Sequence, residues 1–138
     1  MTQDTQPLRG TASRTGRRTP AAGATVPEPL NEVHLVGRVS ATPQEREMPS
    51  GDLLMTWRLV VDRPPPRRPA RAGVRAPTVD TLDCAAWSAA ARRTARTLQA
   101  GDVVEVGGAL RKRFWRAGGG ASSRTEVEVE SVRRLVRA

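Results

Sequence analysis

Apolar and polar residues alternate with a period of two through most of the chain after residue 31, which predicts strands. Val33, Leu35 and Val39 mark a half-apolar first strand over about Val33–Val39. A connection carrying Pro43, Pro49 and Gly51 leads to a second strand over about Leu53–Val61, where Leu53, Met55, Trp57, Leu59 and Val61 share one parity. The segment Arg63–Pro77 contains five prolines and is expected to be a loop, because proline removes donors and fixes φ. A third strand over about Thr78–Trp87 places Leu82, Cys84 and Ala86 on one face and Thr81, Asp83, Ala85 and Trp87 on the other.

Ser88 can then cap a short helix over about Ala89–Ala100, in which Ala91, Ala95 and Leu98 share a side and Gly101 supplies the stop. The fourth strand, about Val103–Trp115, contains Gly107-Gly108, a bend or close backbone contact in a curved sheet. Gly118-Gly119-Gly120 turns the chain into a fifth strand over about Thr125–Val132, with Val127 and Val129 inward and Glu126, Glu128 and Glu130 outward. Residues 1–30 hold few large apolar side chains and are expected to form a disordered tail ahead of a domain over 31–136.

These elements define an all-β chain: a five-stranded Greek-key barrel of the OB-fold type, with one short helix between strands three and four. An ordinary antiparallel barrel or sandwich has the same strand count; the position of the helix favours the OB arrangement.

Charge narrows the function. The 138 residues carry 23 Lys+Arg against 14 Asp+Glu, a net charge of +9. A balance this basic points to a polyanionic partner, nucleic acid first, although charge also keeps proteins soluble. Lys112 is the one lysine, so the arginine excess reflects a GC-rich coding sequence as much as a chemical choice. Cys84 is the one cysteine and reads as a small core residue. One His, one Cys and no phosphate-cradling glycine loop leave nothing from which to assemble a catalytic centre, so no enzyme, metal or cofactor is expected. The sequence shows no signal peptide and no segment of membrane-spanning length, which makes the cytoplasm the expected compartment.

Binding an unpaired nucleic-acid strand needs cations along a groove and flat aromatic faces for bases. Trp87, on the polar parity of strand three, and Trp115, at the end of strand four, are the candidate stacking residues. Arg111, Arg113 and Trp115 form a guanidinium–guanidinium–indole stripe on one parity, whereas Phe114, which shares the other face with Leu110 and Lys112, is expected to be packed. Trp57 is expected in the core. Arg58 on strand two and the loop arginines Arg63, Arg67, Arg68, Arg71 and Arg75 are candidate phosphate contacts. About five or six engaged arginines predict a slope of log affinity against log salt near −4.

The phrases Asn31-Glu32-Val33 through Gly37, Met48-Pro49-Ser50-Gly51, Gly101 to Gly108, Leu110 to Trp115 and Thr125 to Val129 occur in the order and spacing of the bacterial single-stranded DNA-binding proteins, which this chain resembles over about 31–134. The resemblance implies an OB-fold coat for single-stranded DNA in replication, recombination or repair, nucleoid-associated, with Trp87 and Trp115 at stacking positions and Arg111 and Arg113 in the groove. It also implies a homo-oligomer, a tetramer in most members, with first strands pairing across a dimer and His34 on that strand as an interface or surface group. Three departures stand out. Thr81 replaces a stacking aromatic, Leu82-Asp83 replaces a His-Arg pair, and Arg137-Ala138 stands where the family continues into an acidic-tipped tail, so recruitment of repair proteins through such a tail is not expected. An RNA-binding OB module and a primosome-type oligomeric scaffold with weak DNA affinity remain the alternatives.

Overall fold

The computed structural model describes residues 25–68 and 72–138. Most of the expected tail, residues 1–24, and Arg71 lie outside the described residues, and Asn31–Ala138 groups as one unit. Its elements in order are β1 (Val33–Val39), β2 (Gln44–Glu47), β3 (Leu53–Asp62), β4 (Val79–Ala86), α1 (Ala89–Ala95), β5 (Val103–Ala117) and β6 (Gly120–Val136).

The five expected strands close into a ring in the order β1-β5-β6-β4-β3, and β1 returns to β3. Every pairing is antiparallel except β4 with β6. This is the OB-fold barrel. Closure depends on β1 serving two neighbours: Val33 to Arg38 pair with β5, and Arg38 and Val39 pair with β3. Asn31 lengthens the first ladder, since its side-chain amide donates to the Leu110 carbonyl at 2.8 Å and accepts from the Leu110 amide at 2.9 Å.

Two glycines make the curvature possible. A Cβ at Gly37 would lie 2.4 Å from the Val60 carbonyl oxygen, where β1 crosses β3. A Cβ at Gly108 would lie 2.0 Å from the Glu128 carbonyl oxygen, beside the register shift between Gly107 and Gly108. The bulge sharpens the bend of β5 and is the feature expected from the glycine pair.

The barrel interior is filled by Val39, Met55, Trp57, Leu59, Cys84, Ala86, Val104, Val106, Val127 and Val129, with Ala91, Ala95 and Leu98 added from α1 and the turn after it. Each fully buried Val or Leu side chain contributes about 1.5–3 kcal/mol relative to exposure. Ser88 caps α1, its hydroxyl accepting from the Ala91 amide at 3.1 Å. The helix is shorter than expected. After Ala95 the amides of Thr97 and Leu98 reach back only three residues, and Gly101, at φ 92°, donates to the Val39 carbonyl. Asp102 holds this corner: its buried carboxylate accepts from the amides of Gln99 at 2.9 Å and Ala138 at 2.8 Å.

Two differences from the sequence reading matter for function. β2 is a strand where a plain connection was expected; all four of its side chains are exposed, so no apolar alternation marks it, and its backbone pairs with β3. The β5–β6 hairpin is longer than expected, pairing without a break from Gly108↔Val129 out to Ala117↔Gly120.

Candidate nucleic-acid interface

The long hairpin carries one functional face. Alternation places Arg111, Arg113 and Trp115 of β5 on the side that, across the ladder, holds Glu126, Arg124 and Ser122 of β6. Arg113 and Arg124 stand directly opposite each other, a destabilising like-charge pair unless acids intervene. They do: Arg113 Nε donates to Glu126 Oε2 at 2.9 Å, and Arg124 Nε lies 3.8 Å from Asp83 Oδ2. Arg111 Nε donates to Glu128 Oε1 at 2.6 Å.

Each central arginine also covers an indole. The Arg113 guanidinium carbon lies 5.2 Å from the Trp87 ring centroid, and that of Arg124 lies 5.8 Å from the Trp115 centroid. Both distances are within cation–π range. Trp87 is half-buried and Trp115 is 44% exposed, so Trp115 is the more accessible ring.

Beside this face runs an open cleft of about 310 Å³ lined by Ser40, Arg46, Thr56, Arg58, Asp83, Arg124 and Glu126, among others. Hydroxyls and charges dominate the wall, unlike the mainly apolar pockets that bind small molecules. Asp83 lies in its floor and accepts from Arg58 Nε at 3.3 Å. Two guanidinium groups beside it, those of Arg58 and Arg124, offset the repulsion that a phosphate would meet from Asp83.

The profile of the Single-strand binding protein family matches residues 30–135. The chain belongs to this family. It is 31% identical over 107 residues to Single-stranded DNA-binding protein 3 of Listeria innocua serovar 6a, a match spanning 77% of this chain and 64% of that protein. Against Single-stranded DNA-binding protein A of Bacillus subtilis the identity is 34%, spanning 77% and 59%. The chain thus spans about three fifths of the length of these curated relatives. Among solved structures it resembles a Plasmodium falciparum SSB complex with ssDNA, with a TM-score of 0.62, 20% identity, and coverage of 80% of this chain and 99% of that one; this likeness concerns the fold.

Within this family framework the expected site residues divide into three groups. Trp87, Trp115, Arg111 and Arg113 are brought together on or beside the hairpin face, and Arg58 lies in the neighbouring cleft. Arg63 is held at the root of its loop, its Nη2 donating to Asp80 Oδ1 at 2.7 Å; the pair raises the arginine pKa and lowers that of the carboxyl. Arg67, Arg68 and Arg75 are exposed and belong to no helix or strand.

Trp57 is 6% exposed and belongs to the core, as expected. Burial pushes the Cys84 thiol up to about 12, with Asp83 and Glu126 adding to the effect, which makes it inert as a nucleophile. His34 lies on the surface beside Glu105.

Two expectations are corrected. Phe114 is 72% exposed, not packed, because the hairpin has left the barrel by that point and its inward parity no longer faces a core. Glu126 is 8% exposed, not outward in solvent, because Arg113 lies against it. The sequence reading missed Arg124 and Arg46. Arg124 falls in the polar stretch between the Gly118–Gly120 turn and the expected start of the fifth strand, and Arg46 lies on β2, where a connection was expected; alternation marks neither.

Proposed function

We propose that this chain binds single-stranded DNA without sequence preference, by stacking bases on Trp115 and Trp87 and pairing phosphates with arginine. The observation that carries the reading is the double arginine–indole arrangement on one hairpin face, next to an open, cation-lined cleft. Every base has a π-face, so such a surface tolerates any sequence, while the guanidinium groups follow the backbone. The relatives named as single-stranded DNA-binding proteins support the same reading. It makes the protein a binder and not a catalyst, nucleoid-associated in the cytoplasm, acting in replication, recombination or repair.

Self-association along β1 belongs to this proposal. Among the described residues β1 pairs with β3 at Arg38 and Val39, and on that side the edge from Val33 to Val36 has no strand partner, which offers it to a second copy. The family resemblance favours a tetramer.

A second reading, an oligomeric scaffold with weak DNA affinity, draws on the pairing of Arg58, Arg63, Arg111 and Arg113 with carboxylates. Tryptophan fluorescence during titration with oligo-dT, oligo-U and duplex DNA separates the readings. The proposal expects quenching by oligo-dT at lower concentration than by either competitor. Preference for oligo-U would assign the site to RNA, and no quenching by any of them would favour the scaffold.

A further inference from the structure

The opposite face of the β5–β6 hairpin plays no part in the stacking site, yet it carries aromatic and cationic chemistry of its own. Leu110, Lys112, Phe114 and Arg116 alternate along it, all exposed, with Phe114 more open than either Leu110 or Trp115 on the same strand. Their partners across the ladder near the tip are Thr125, Ser123 and Ala121, which are neutral. Among the described residues, neither Lys112 nor Arg116 has an ion-pair partner. On the first face, by contrast, Arg111, Arg113 and Arg124 all have a carboxylate beside them.

We propose that this face is a second contact for the same DNA strand, with Phe114 stacking a base and Lys112 and Arg116 pairing with the flanking phosphates. The proposal rests on single-stranded DNA binding at the first face and extends the path of the strand beyond it. Residues two apart on a strand are about 7 Å apart, so cation, ring and cation form a row along an extended polyanion. Two cations with no acid to compete favour phosphate over a second copy of this chain, whose hairpin would bring the same positive charge to the contact. The passage between faces crosses Gly118, Gly119 and Gly120, where no side chain stands in the way.

The test compares two oligo-dT lengths. A short oligonucleotide of about 8 nucleotides is within the span one OB barrel covers, and a long one of about 35 exceeds it. Phe114→Ala, and separately Lys112→Gln with Arg116→Gln, should weaken binding of the long oligonucleotide about five-fold or more, while binding of the short one changes less than about two-fold. Because Phe114 is exposed, its loss leaves the barrel intact, which circular dichroism can verify. Unchanged affinity for the long oligonucleotide would overturn the proposal. So would a change in mass by light scattering with DNA affinity unaltered, since this would mean that another subunit covers the face. If the unaltered protein binds neither length, single-strand binding itself fails and this inference falls with it; if Trp115→Ala loses affinity and Phe114→Ala does not, only the second face is lost.

Discussion

The guanidinium carbon of Arg113 lies 5.2 Å from the centroid of the Trp87 ring while its Nε donates to Glu126. One side chain thus links the end of β4 to the hairpin and fixes the orientation of an indole. Trp115 has a similar partner in Arg124 but keeps more of its surface open. The two rings are therefore unequal, one held by the scaffold and the other offered to a ligand.

Trp115→Ala is expected to weaken oligo-dT binding by about 1–3 kcal/mol, roughly 5- to 150-fold. Trp87→Ala should cost less, because Arg113 already occupies one approach to that ring. Fluorescence or anisotropy titrations with circular dichroism as the folding control measure both; equal losses would mean that Arg113 swings away on binding.

Arg67→Ala combined with Arg68→Ala should reduce the steepness of the salt dependence by about 1.4, at about 0.7 for each single-strand phosphate no longer neutralised. Arg63→Ala should change the slope less, since Asp80 already holds that guanidinium. Affinity measured from low to high salt distinguishes the two variants.

Asp102 predicts a pH dependence of stability. Amide donation from Ala138, then from Gln99, with Arg134 adding, holds its carboxyl below the usual range. A group whose folded pKa is depressed stabilises the fold above its unfolded value, about 3.9, and loses that contribution as pH falls through the folded value. The melting temperature should therefore drop below about pH 4. Asp102→Asn should lower it by several degrees at neutral pH, because an amide cannot accept all these donors, and should make the acid drop shallower. Glu105, held low by Arg133 and then His34, and Asp80 keep some acid sensitivity in the variant.

Gly108→Ala would set a Cβ against the backbone of Glu128, which cannot yield as a side chain can. Overpacking of this kind costs about 1–3 kcal/mol, visible as a lower melting temperature. Gly119→Ala, with nothing within 4 Å, is the control and should change stability by less than about 0.5 kcal/mol.

Alternation made much of the barrel legible because a strand with one buried face writes that burial into every second residue. Leu53 to Val61, Val127 with Val129, and the placement of Trp57 follow from it. The same rule misleads where a strand outruns the core. Leu110 faces Val127 across the ladder, yet Leu110 is 44% exposed and Val127 1%, which locates the end of the barrel interior. Phe114 lies beyond that point, so its parity fixes a side but not what covers it. Glu126 shows the converse, an outward position buried by a neighbouring arginine. Arg46 sits on β2, held by backbone pairing alone, and Arg124 on the stretch of β6 that runs beyond the core, so no apolar pattern reveals either.

The most direct test of the stacking site is photocrosslinking of an oligo-dT carrying 5-iododeoxyuridine, with the adducts located by mass spectrometry. Adducts on Trp115, with fewer on Trp87, are predicted. Efficient crosslinking confined to residues 1–30 or to the 63–77 loop, with both tryptophans unmodified, would contradict it.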